Sequence, residues 1–311
     1  MNKTVLVTGG YGFLGRAVAQ RFKQSGCRVV GIGRGRWAPE EYRARGFDVW
    51  LDAGVSLSSL MTLNEAFDVV VHCAGNGSVG YSLSNPLQDF YKTVQSTADL
   101  LEYLRLSKST ARLVYPSSAG VYGAKEDAPI RETDPLDPIS PYGCHKKIVE
   151  DLLASYSRTY GMHVAIIRYF SIYGPGLTKQ LLWDASNRLM TARDGTATFW
   201  GTGEETRDWI SGEDAAELVI TAANTQCGFL IVNGASGKRV TVRQALTLLR
   251  DAIGTGTELI FNGETKAGDP RYYHADVSRA LELGWRPTVP FAAGIKSYVR
   301  WLSTYVEHVI D

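Results

Sequence analysis

The segment VLVTGGYGFLG constrains the fold of this chain more than any other part of the sequence. An apolar run typical of a strand leads into Gly9, Gly12 and Gly15, and the glycines open an amphipathic helix. Glycine permits a tight turn and lets the backbone approach a pyrophosphate, whose negative charge the amino terminus of the helix stabilises. We therefore predict a dinucleotide-binding turn, formed by the three glycines together with Phe13 and Leu14.

Strand-like and helix-like segments alternate through the first half of the chain. Six apolar runs end in small residues, which is typical of strands covered on both faces of a parallel sheet. We predict an α/β fold: a Rossmann-type doubly wound parallel sheet with a smaller α+β substrate-binding lobe. Residues 1–173, with 211–234 returning to them, are expected to form the dinucleotide-binding domain. Residues 174–210 and 235–311 are expected to form the lobe.

The composition argues against several classes of protein. Lys and Arg number 33 against 32 Asp and Glu, so the net charge of +1 gives no electrostatic basis for binding nucleic acid or an anionic membrane. The four cysteines lack CxxC spacing and the five histidines are scattered, which predicts reduced thiols and no metal site. Because no signal segment or long apolar run is present, we expect a soluble cytoplasmic protein.

The ends of the next strand-like runs bear on the cofactor. An acidic residue after the second run would bind the adenosine ribose of NAD, but Gly33 and Arg34 stand there. Arg34 could pair with the extra phosphate of NADP or be a solvated loop residue, so NAD and NADP both remain open, with a slight lean to NADP. Asp52 is expected to contact the adenine or to cap a turn. After the fourth run, Ala74 is expected to line the cofactor site and Ser78 to contact the substrate.

The stretch SPYGCHKK places a tyrosine and a lysine four residues apart. If a helix starts near Pro141, Tyr142 and Lys146 share one face. A tyrosine acting as a base near neutral pH needs its pKa lowered from about 10 to about 7, which corresponds to roughly 4 kcal/mol. An ammonium group about 5 Å away supplies about 3 kcal/mol, and an oxidised nicotinamide ring can add the rest. Upstream, Ser117 and Ser118 end a strand and could bind the hydroxyl being oxidised.

A series of motifs covers almost the whole chain, in an order and spacing that resemble one family. The motifs are TGGYGFLG, VVVHCAG, YPSSAGVYG, YGCHK, RYFSIYGPG, GTGEETRDW and GDPRYYHADVSRALELGW. They resemble extended short-chain dehydrogenase/reductases of the nucleotide-sugar epimerase/dehydratase family. The resemblance implies that Tyr142 is the base, that Lys146 holds the nicotinamide ribose and tunes Tyr142, and that Ser118 binds the reacting hydroxyl. It also implies a homodimer formed through helices that flank the sheet.

The same resemblance implies contacts to a nucleotide diphosphate sugar. Arg207 of the TRD segment would contact the diphosphate, although it could instead pair with Asp208 or Glu205. Lys266 stands where the family usually has a second arginine, and it is a point charge rather than a planar fork. Ser171 stands where the family has an asparagine near the diphosphate, which leaves the detailed contact at this position open.

The residues after Ser118 discriminate between related reactions. Nucleotide-sugar 4,6-dehydratases place Asp-Glu there, whereas this chain has Ala119 and Gly120, so a dehydratase is disfavoured. Two NAD(P)-dependent functions remain, both with hydride transfer at sugar carbon 4. The motifs favour a 4-epimerase, and Arg34 favours an NADPH-dependent reductase of a 4-keto-6-deoxy sugar. A non-catalytic dinucleotide-sensing protein is less expected, because it would not need the serine, tyrosine and lysine.

Overall fold

The computed structural model of the chain describes residues 3–264 and 270–310. Its strands, in chain order, are β1 (Thr4–Thr8), β2 (Arg28–Gly33), β3 (Val49–Asp52), β4 (Val69–His72), β5 (Arg112–Ser118), β6 (Val164–Tyr169), β7 (Ser171–Tyr173), β8 (Thr196–Phe199), β9 (Thr206–Ser211), β10 (Phe229–Gly234), β11 (Arg239–Thr241) and β12 (Glu258–Phe261). Its helices are α1 (Phe13–Gln24), α2 (Pro39–Ala44), α3 (Leu57–Met61), α4 (Val79–Ser84), α5 (Pro86–Phe90), α6 (Ser96–Leu106), α7 (Pro141–Tyr160), α8 (Gln180–Thr191), α9 (Gly212–Ala223), α10 (Val242–Ile253), α11 (Ser278–Glu282) and α12 (Phe291–Ile310). A π-helical turn spans Tyr91–Gln95 and a 3₁₀ turn spans Ala119–Val121.

Seven strands form one parallel sheet in the spatial order β10-β6-β5-β4-β1-β2-β3. The order reverses between β1 and β4, and in doubly wound folds such a reversal opens a crevice at the carboxyl ends of the strands. The predicted α/β fold with a Rossmann-type sheet is therefore confirmed. None of the helices in the described residues combines the length and the apolar character that crossing a lipid bilayer requires.

Helices cover both faces of the sheet because the strand side chains point alternately into two cores. In β1, Val5 and Val7 face the core beneath α1 and α9, whereas Leu6 faces the core beneath α3, α6 and α7. All three side chains are fully buried. Each buried residue of this kind contributes about 1.5–3 kcal/mol relative to exposure, so continuous apolar runs specify the sheet.

The smaller lobe contains a three-stranded sheet, β11-β9-β7, and the parallel pair β12-β8. Helices α8, α10 and α12 pack with these strands around a core of their own. We propose the division expected from the sequence, with 1–173 and 211–234 in one domain and 174–210 and 235–311 in the other. Helix α9 supports this division because it packs on the seven-stranded sheet, and strand β10 supports it because it is an edge strand of that sheet. Strand β7 departs from the division, because it pairs in the smaller sheet with β9.

A buried ion pair fixes α7 against the sheet. The guanidinium group of Arg168, in β6, donates hydrogen bonds to Glu150 in α7, and Ser117 in β5 donates to the same carboxylate. Arg168 is 3% exposed and Glu150 is 4% exposed. Arg168 also donates to the hydroxyl of Tyr122, which donates to Asn233 in β10. Because the carboxylate is enclosed, it depends on the arginine for charge compensation.

An Arg168→Met variant is expected to lower the free energy of unfolding by about 3–5 kcal/mol, since it leaves the Glu150 carboxylate buried without its partner. Chemical denaturation measures the loss. The control is Arg105→Met, which breaks the solvent-accessible pair with Glu102 and is expected to change the free energy of unfolding much less. Equal losses in the two variants would contradict a structural role for the buried pair.

Candidate active site

A cleft of about 1140 Å³ lies at the carboxyl ends of the sheet strands and extends to the smaller lobe. Its walls carry residues from the turn after β1, the ends of β4 and β5, the start of α7, and β9. The reversal point of a doubly wound sheet is where such folds bind their ligands. Predicted site residues as distant in sequence as Gly9 and Arg207 therefore line one cavity.

The turn between β1 and α1 lets an anion approach the backbone closely. Gly9 has a φ of +65°, and a Cβ on it would lie 2.5 Å from the backbone of the loop after β4. A Cβ on Gly15 would lie 2.4 Å from the carbonyl oxygen of Gly9. Helix α1 follows Gly12 with no side-chain cap and no acidic residue in its first turn, so its first N–H groups can bind a pyrophosphate. Phe13 and Leu14 line the same wall, and this set of residues fits a dinucleotide.

The predicted adenosine end of the cleft has a different arrangement. Arg34 lines the cleft with an exposed side chain, and Ala74 lines it from the end of β4. The carboxylate of Asp52 accepts a hydrogen bond from the Gly35 N–H at 2.9 Å and lies 3.7 Å from the guanidinium group of Arg36. Asp52 therefore caps the loop after β2, which is the second of the two roles expected from the sequence. Its predicted contact with adenine stays a prediction.

Helix α7 places the tyrosine and the lysine together. It begins at Pro141, as the sequence predicts, and the Ser140 hydroxyl caps it by accepting a hydrogen bond from a first-turn N–H at 3.2 Å. Tyr142 and Lys146 both line the cleft. The ammonium group of Lys146 donates to the carbonyl of Pro116 at 3.0 Å and lies 6.0 Å from the centroid of the Tyr142 ring.

The electrostatics of this pair differ from the expectation. Burial raises the pKa of Tyr142 above its ordinary value, and a hydrogen bond with Ser118 opposes that shift. Burial lowers the pKa of Lys146 to about 8. The sequence-based expectation for Tyr142 did not include burial, which disfavours the phenolate, and the ammonium group of Lys146 is directed at Pro116. Ionisation near neutral pH requires further positive charge at the cleft.

The two adjacent serines have different roles in the structure. Ser118 lines the cleft, and its hydroxyl accepts a hydrogen bond from the Gly120 N–H at 3.1 Å and interacts with Tyr142. The Ser117 hydroxyl points the other way and donates to buried Glu150. Ser118 is therefore the serine that can reach a hydroxyl beside Tyr142, while a substrate contact by Ser117 stays a prediction.

Four of the predicted substrate contacts lie in the cleft wall, namely Ser78, Ser117, Ser171 and Arg207. The Ser78 hydroxyl also caps α4 by accepting an N–H hydrogen bond at 3.2 Å. Arg207 is 8% exposed and donates to the carbonyl of Thr206 at 2.7 Å. Lys266 lies outside the described residues. Arg207 is thus the predicted diphosphate contact that the structure places at the cleft.

The two carboxylates proposed as alternative partners of Arg207 bind elsewhere. Asp208 accepts hydrogen bonds from three backbone N–H groups and a serine hydroxyl, and burial raises the pKa of Asp208 to about 6. Glu205 accepts hydrogen bonds from the loop that precedes it. These bonds hold the first half of β9 in place and therefore position Arg207, which lies between the two acidic residues in sequence.

Comparison with known proteins agrees with this geometry. The model of the NAD dependent epimerase/dehydratase family matches residues 5–229. The chain belongs to this family. It is 31% identical to the UDP-glucose 4-epimerase of Azospirillum brasilense, over 96% of this chain and 91% of that protein. The solved structure of a Thermotoga maritima UDP-glucose 4-epimerase with UDP-glucose is 25% identical, with a TM-score of 0.87, over 97% of this chain and 99% of that one. MoeE5 in complex with UDP-glucose and NAD is 25% identical, with a TM-score of 0.86 and the same coverage.

Membership of the epimerase/dehydratase family confirms the predicted resemblance and identifies the chain as an NAD-dependent enzyme. The slight lean to NADP finds no support in these comparisons, which name NAD. The individual site residues remain predictions that the cleft geometry accommodates.

The sequence analysis missed several residues of the cleft wall, among them Tyr11, Lys92 and Lys179. Tyr11, between the glycines, stacks on Trp37 with 4.5 Å between the ring centroids. Lys92 donates to the hydroxyl of Tyr81 at 2.7 Å, and burial lowers the pKa of Lys179. The sequence signal for the lysines was weak, since single cations in a helix or a polar loop are usually solvated. Tyr11 gave a clearer sequence signal for the cleft, because it lies between the glycines of the predicted dinucleotide-binding turn.

A Gly15→Ala variant is expected to weaken NAD binding roughly tenfold or more, because overpacking this turn costs about 1–3 kcal/mol. Calorimetric titration with NAD measures the loss. The control is Gly228→Ala, since a Cβ there meets no atom within 4 Å. Unchanged NAD affinity in a folded Gly15→Ala protein would contradict the placement of the dinucleotide at this turn.

Proposed function

We propose that this chain is a nucleotide-sugar 4-epimerase that uses NAD and acts on a UDP-sugar. The observation that carries the proposal is the meeting of Ser118, Tyr142 and Lys146 in the cleft that also contains the glycine turn. The similarity to 4-epimerases over nearly the full length of both chains supports the same reaction. The small residues after Ser118, Ala119 and Gly120, provide no acid or base for removing water, which separates the site from a dehydratase.

Bound NAD supplies the acceptor and the later donor of the hydride at sugar carbon 4. The Tyr142 oxygen accepts the proton of the 4-hydroxyl as that carbon is oxidised and returns it when the keto oxygen is reduced. Ser118 holds the reacting oxygen by a hydrogen bond and helps to keep it beside Tyr142. The Lys146 ammonium group holds the nicotinamide ribose and favours the phenolate. Inversion would require the keto sugar to present its opposite face to the cofactor, and the cleft has room for the sugar to turn.

The side chains along the cleft wall suit a substrate that carries a diphosphate. Arg207 offers a planar fork to the diphosphate, which suits bidentate recognition. Ser78 and Ser171 line the same wall and provide short hydroxyl groups for the sugar or the diphosphate. The relatives named as UDP-glucose epimerases support uridine as the base.

NAD rather than NADP is the proposed cofactor. MoeE5, which is similar over nearly the whole chain, binds NAD, and the family itself is named for NAD. The Arg34 side chain is exposed at the cleft wall, where a solvated role accounts for it. The free cysteines of the chain fit a reducing compartment, and we place the enzyme in the cytoplasm.

A homodimer is the proposed assembly. Large apolar side chains are exposed on neighbouring helices and the π-helical turn: Leu83 on α4, Leu87 on α5, Tyr91, and Ile148 on α7. The elements that carry them pack against one another, and Leu83 and Tyr91 also line the cleft. Exposed apolar side chains on neighbouring elements suit burial against a second copy, since such residues mark interaction surfaces.

A Tyr142→Phe variant is expected to lower kcat by about 10²–10⁴, because the proton acceptor is lost, while NAD binding stays intact. The assay measures the exchange of 4-epimers in a panel of UDP-, GDP-, CDP- and dTDP-sugars. Tyr160→Phe, at the exposed far end of α7, is the control and is expected to keep full activity.

The same assay separates the other functions weighed from the sequence. Stoichiometric NADPH oxidation by a 4-keto-6-deoxy nucleotide sugar, without epimer exchange, would replace the epimerase with a reductase. Intact NAD binding with no turnover of any sugar, and a Tyr142→Phe protein with unchanged function in cells, would indicate a dinucleotide sensor.

A Leu87→Glu variant is expected to shift the protein from dimer to monomer, because the interface would bury an unpaired charge. Light scattering after size-exclusion chromatography measures the mass. Met61→Glu, which alters an exposed apolar residue on α3, is the control and should leave the mass unchanged. A wild-type chain that is monomeric at high concentration would refute the assembly.

A further inference from the structure

An enclosed carboxylate lies beside the catalytic helix and has no role in the reaction described so far. Asp89, in α5, is completely buried. One of its oxygens, Oδ2, is hydrogen-bonded to Nδ1 of His145, and the other, Oδ1, has no hydrogen-bond partner among the described residues. A buried carboxylate that lacks part of its hydrogen bonding is costly, so its presence calls for a compensating function.

The position of His145 connects this carboxylate to the active site. His145 lies on α7, three residues after Tyr142 and directly before Lys146. The ring of Phe90 packs edge-on against the imidazole, with 5.5 Å between the ring centroids, and restricts its orientation. The hydrogen bond therefore joins α5 to the first turns of α7, where both catalytic side chains originate.

The charge of Asp89 acts on both members of the catalytic pair. Burial has the largest effect on the pKa of Lys146 and lowers it, whereas Cys73, then Asp89, then Glu150 raise it. Burial also has the largest effect on the pKa of Tyr142 and raises it, the hydrogen bond with Ser118 lowers it, and Asp89 raises it. Among the described residues, Asp89 has no lysine or arginine partner, in contrast to nearby Glu150, which Arg168 compensates.

The other polar groups around the pair have partners or are neutral. Lys92, on the π-helical turn, donates to the Tyr81 hydroxyl. Burial lowers the pKa of His72 to about 3 and raises the pKa of Cys73 to about 12, so neither carries charge at neutral pH. Burial also raises the pKa of Tyr115, which stays a neutral phenol. Among the described residues around Lys146, Asp89 is therefore a carboxylate whose side-chain partner is an imidazole rather than a lysine or an arginine.

We propose that Asp89 and His145 form a positioning pair, in which Asp89 supplies the negative charge that retains the Lys146 ammonium group and His145 holds that carboxylate against the catalytic helix. The proposal rests on the proposed function, since it assigns Lys146 the role of a cation during the reaction. Neither residue contacts the reacting atoms. Their effect reaches the substrate through Lys146 and Tyr142.

The pH dependence of kcat/KM tests the pair through an Asp89→Asn variant, which keeps the size of the side chain and removes its charge. Loss of the anion makes Lys146 release its proton at lower pH, so the alkaline limb of the profile is expected to move to lower pH by roughly half to one unit. Activity on that limb then falls about three- to tenfold. A purely structural role would lower kcat without moving the limb.

Two variants of His145 separate the hydrogen bond from the imidazole. His145→Asn places an amide N–H near the position of Nδ1 and keeps a donor for Asp89, so the alkaline limb is expected to stay near its wild-type pH. His145→Leu leaves the carboxylate without a donor, which favours its neutral form, and the limb is expected to move as in Asp89→Asn. The double variant Asp89→Asn/His145→Leu should move the limb no further than either single change, because both act through one charge.

A second measurement needs no substrate and separates this proposal from the proposed function. The titration of Lys146 is followed by NMR in protein labelled with ¹⁵N-lysine, and the signal is assigned with Lys146→Met. Lys146 is expected to titrate at lower pH in Asp89→Asn than in the wild type. Identical Lys146 titrations in folded wild-type and Asp89→Asn protein would overturn the positioning pair. A clear shift in a protein that turns over no nucleotide sugar would uphold the pair and refute the epimerase.

Discussion

The geometry of the active site depends on the buried ion pair between Glu150 and Arg168, because this pair sets how α7 lies on the sheet. Glu150 follows Lys146 by one helical turn and Tyr142 by two, so the three side chains share one face of the helix. Two sheet strands bind the carboxylate, through Ser117 in β5 and Arg168 in β6. Apolar packing is non-directional, whereas these hydrogen bonds form only when α7 has one rotation about its axis and one position along it.

Burial acts on both members of the Tyr142–Lys146 pair. It disfavours the phenolate of Tyr142 and lowers the pKa of Lys146 to about 8, so at neutral pH the lysine remains mainly an ammonium group beside a neutral phenol. A phenol that stays protonated until a further cation lies beside it becomes a base only in the assembled complex. The Pro116 carbonyl accepts a hydrogen bond from the ammonium group and holds it at the cleft.

Much of the fold followed from the sequence, because its strongest signals are local. The apolar runs specified the parallel sheet, the glycine turn specified the start of α1, and Pro141 marked the start of α7. The tyrosine and lysine proposed for catalysis could be predicted to lie together because a spacing of four on a helix sets their relation regardless of the rest of the chain.

The features that were missed depend on contacts between distant segments. The Ser117 hydroxyl binds Glu150, 33 residues further along, and no local pattern indicated this partner. For Asp52 the sequence left two roles open, and the contact with Gly35 that makes it a loop cap is seen only in the fold. The low acidity of Tyr142 reflects the desolvation of a folded cavity, which no local pattern encodes. The Asp89–His145 contact joins two helices 56 residues apart in sequence, so it could be seen only in three dimensions.

The short links between the two sheets have a mechanical consequence. Only Phe170 separates β6, which ends at Tyr169, from β7, which begins at Ser171, and β9 ends at Ser211 directly before α9 begins at Gly212. Links of this length limit how far the two sheets can move apart, since a hinge needs loop residues that absorb changes in the backbone torsion angles. A sugar that turns over between two hydride transfers would do so in a cleft whose width the linked sheets constrain. The width of the sugar would then bear on which nucleotide sugars can present both of their faces.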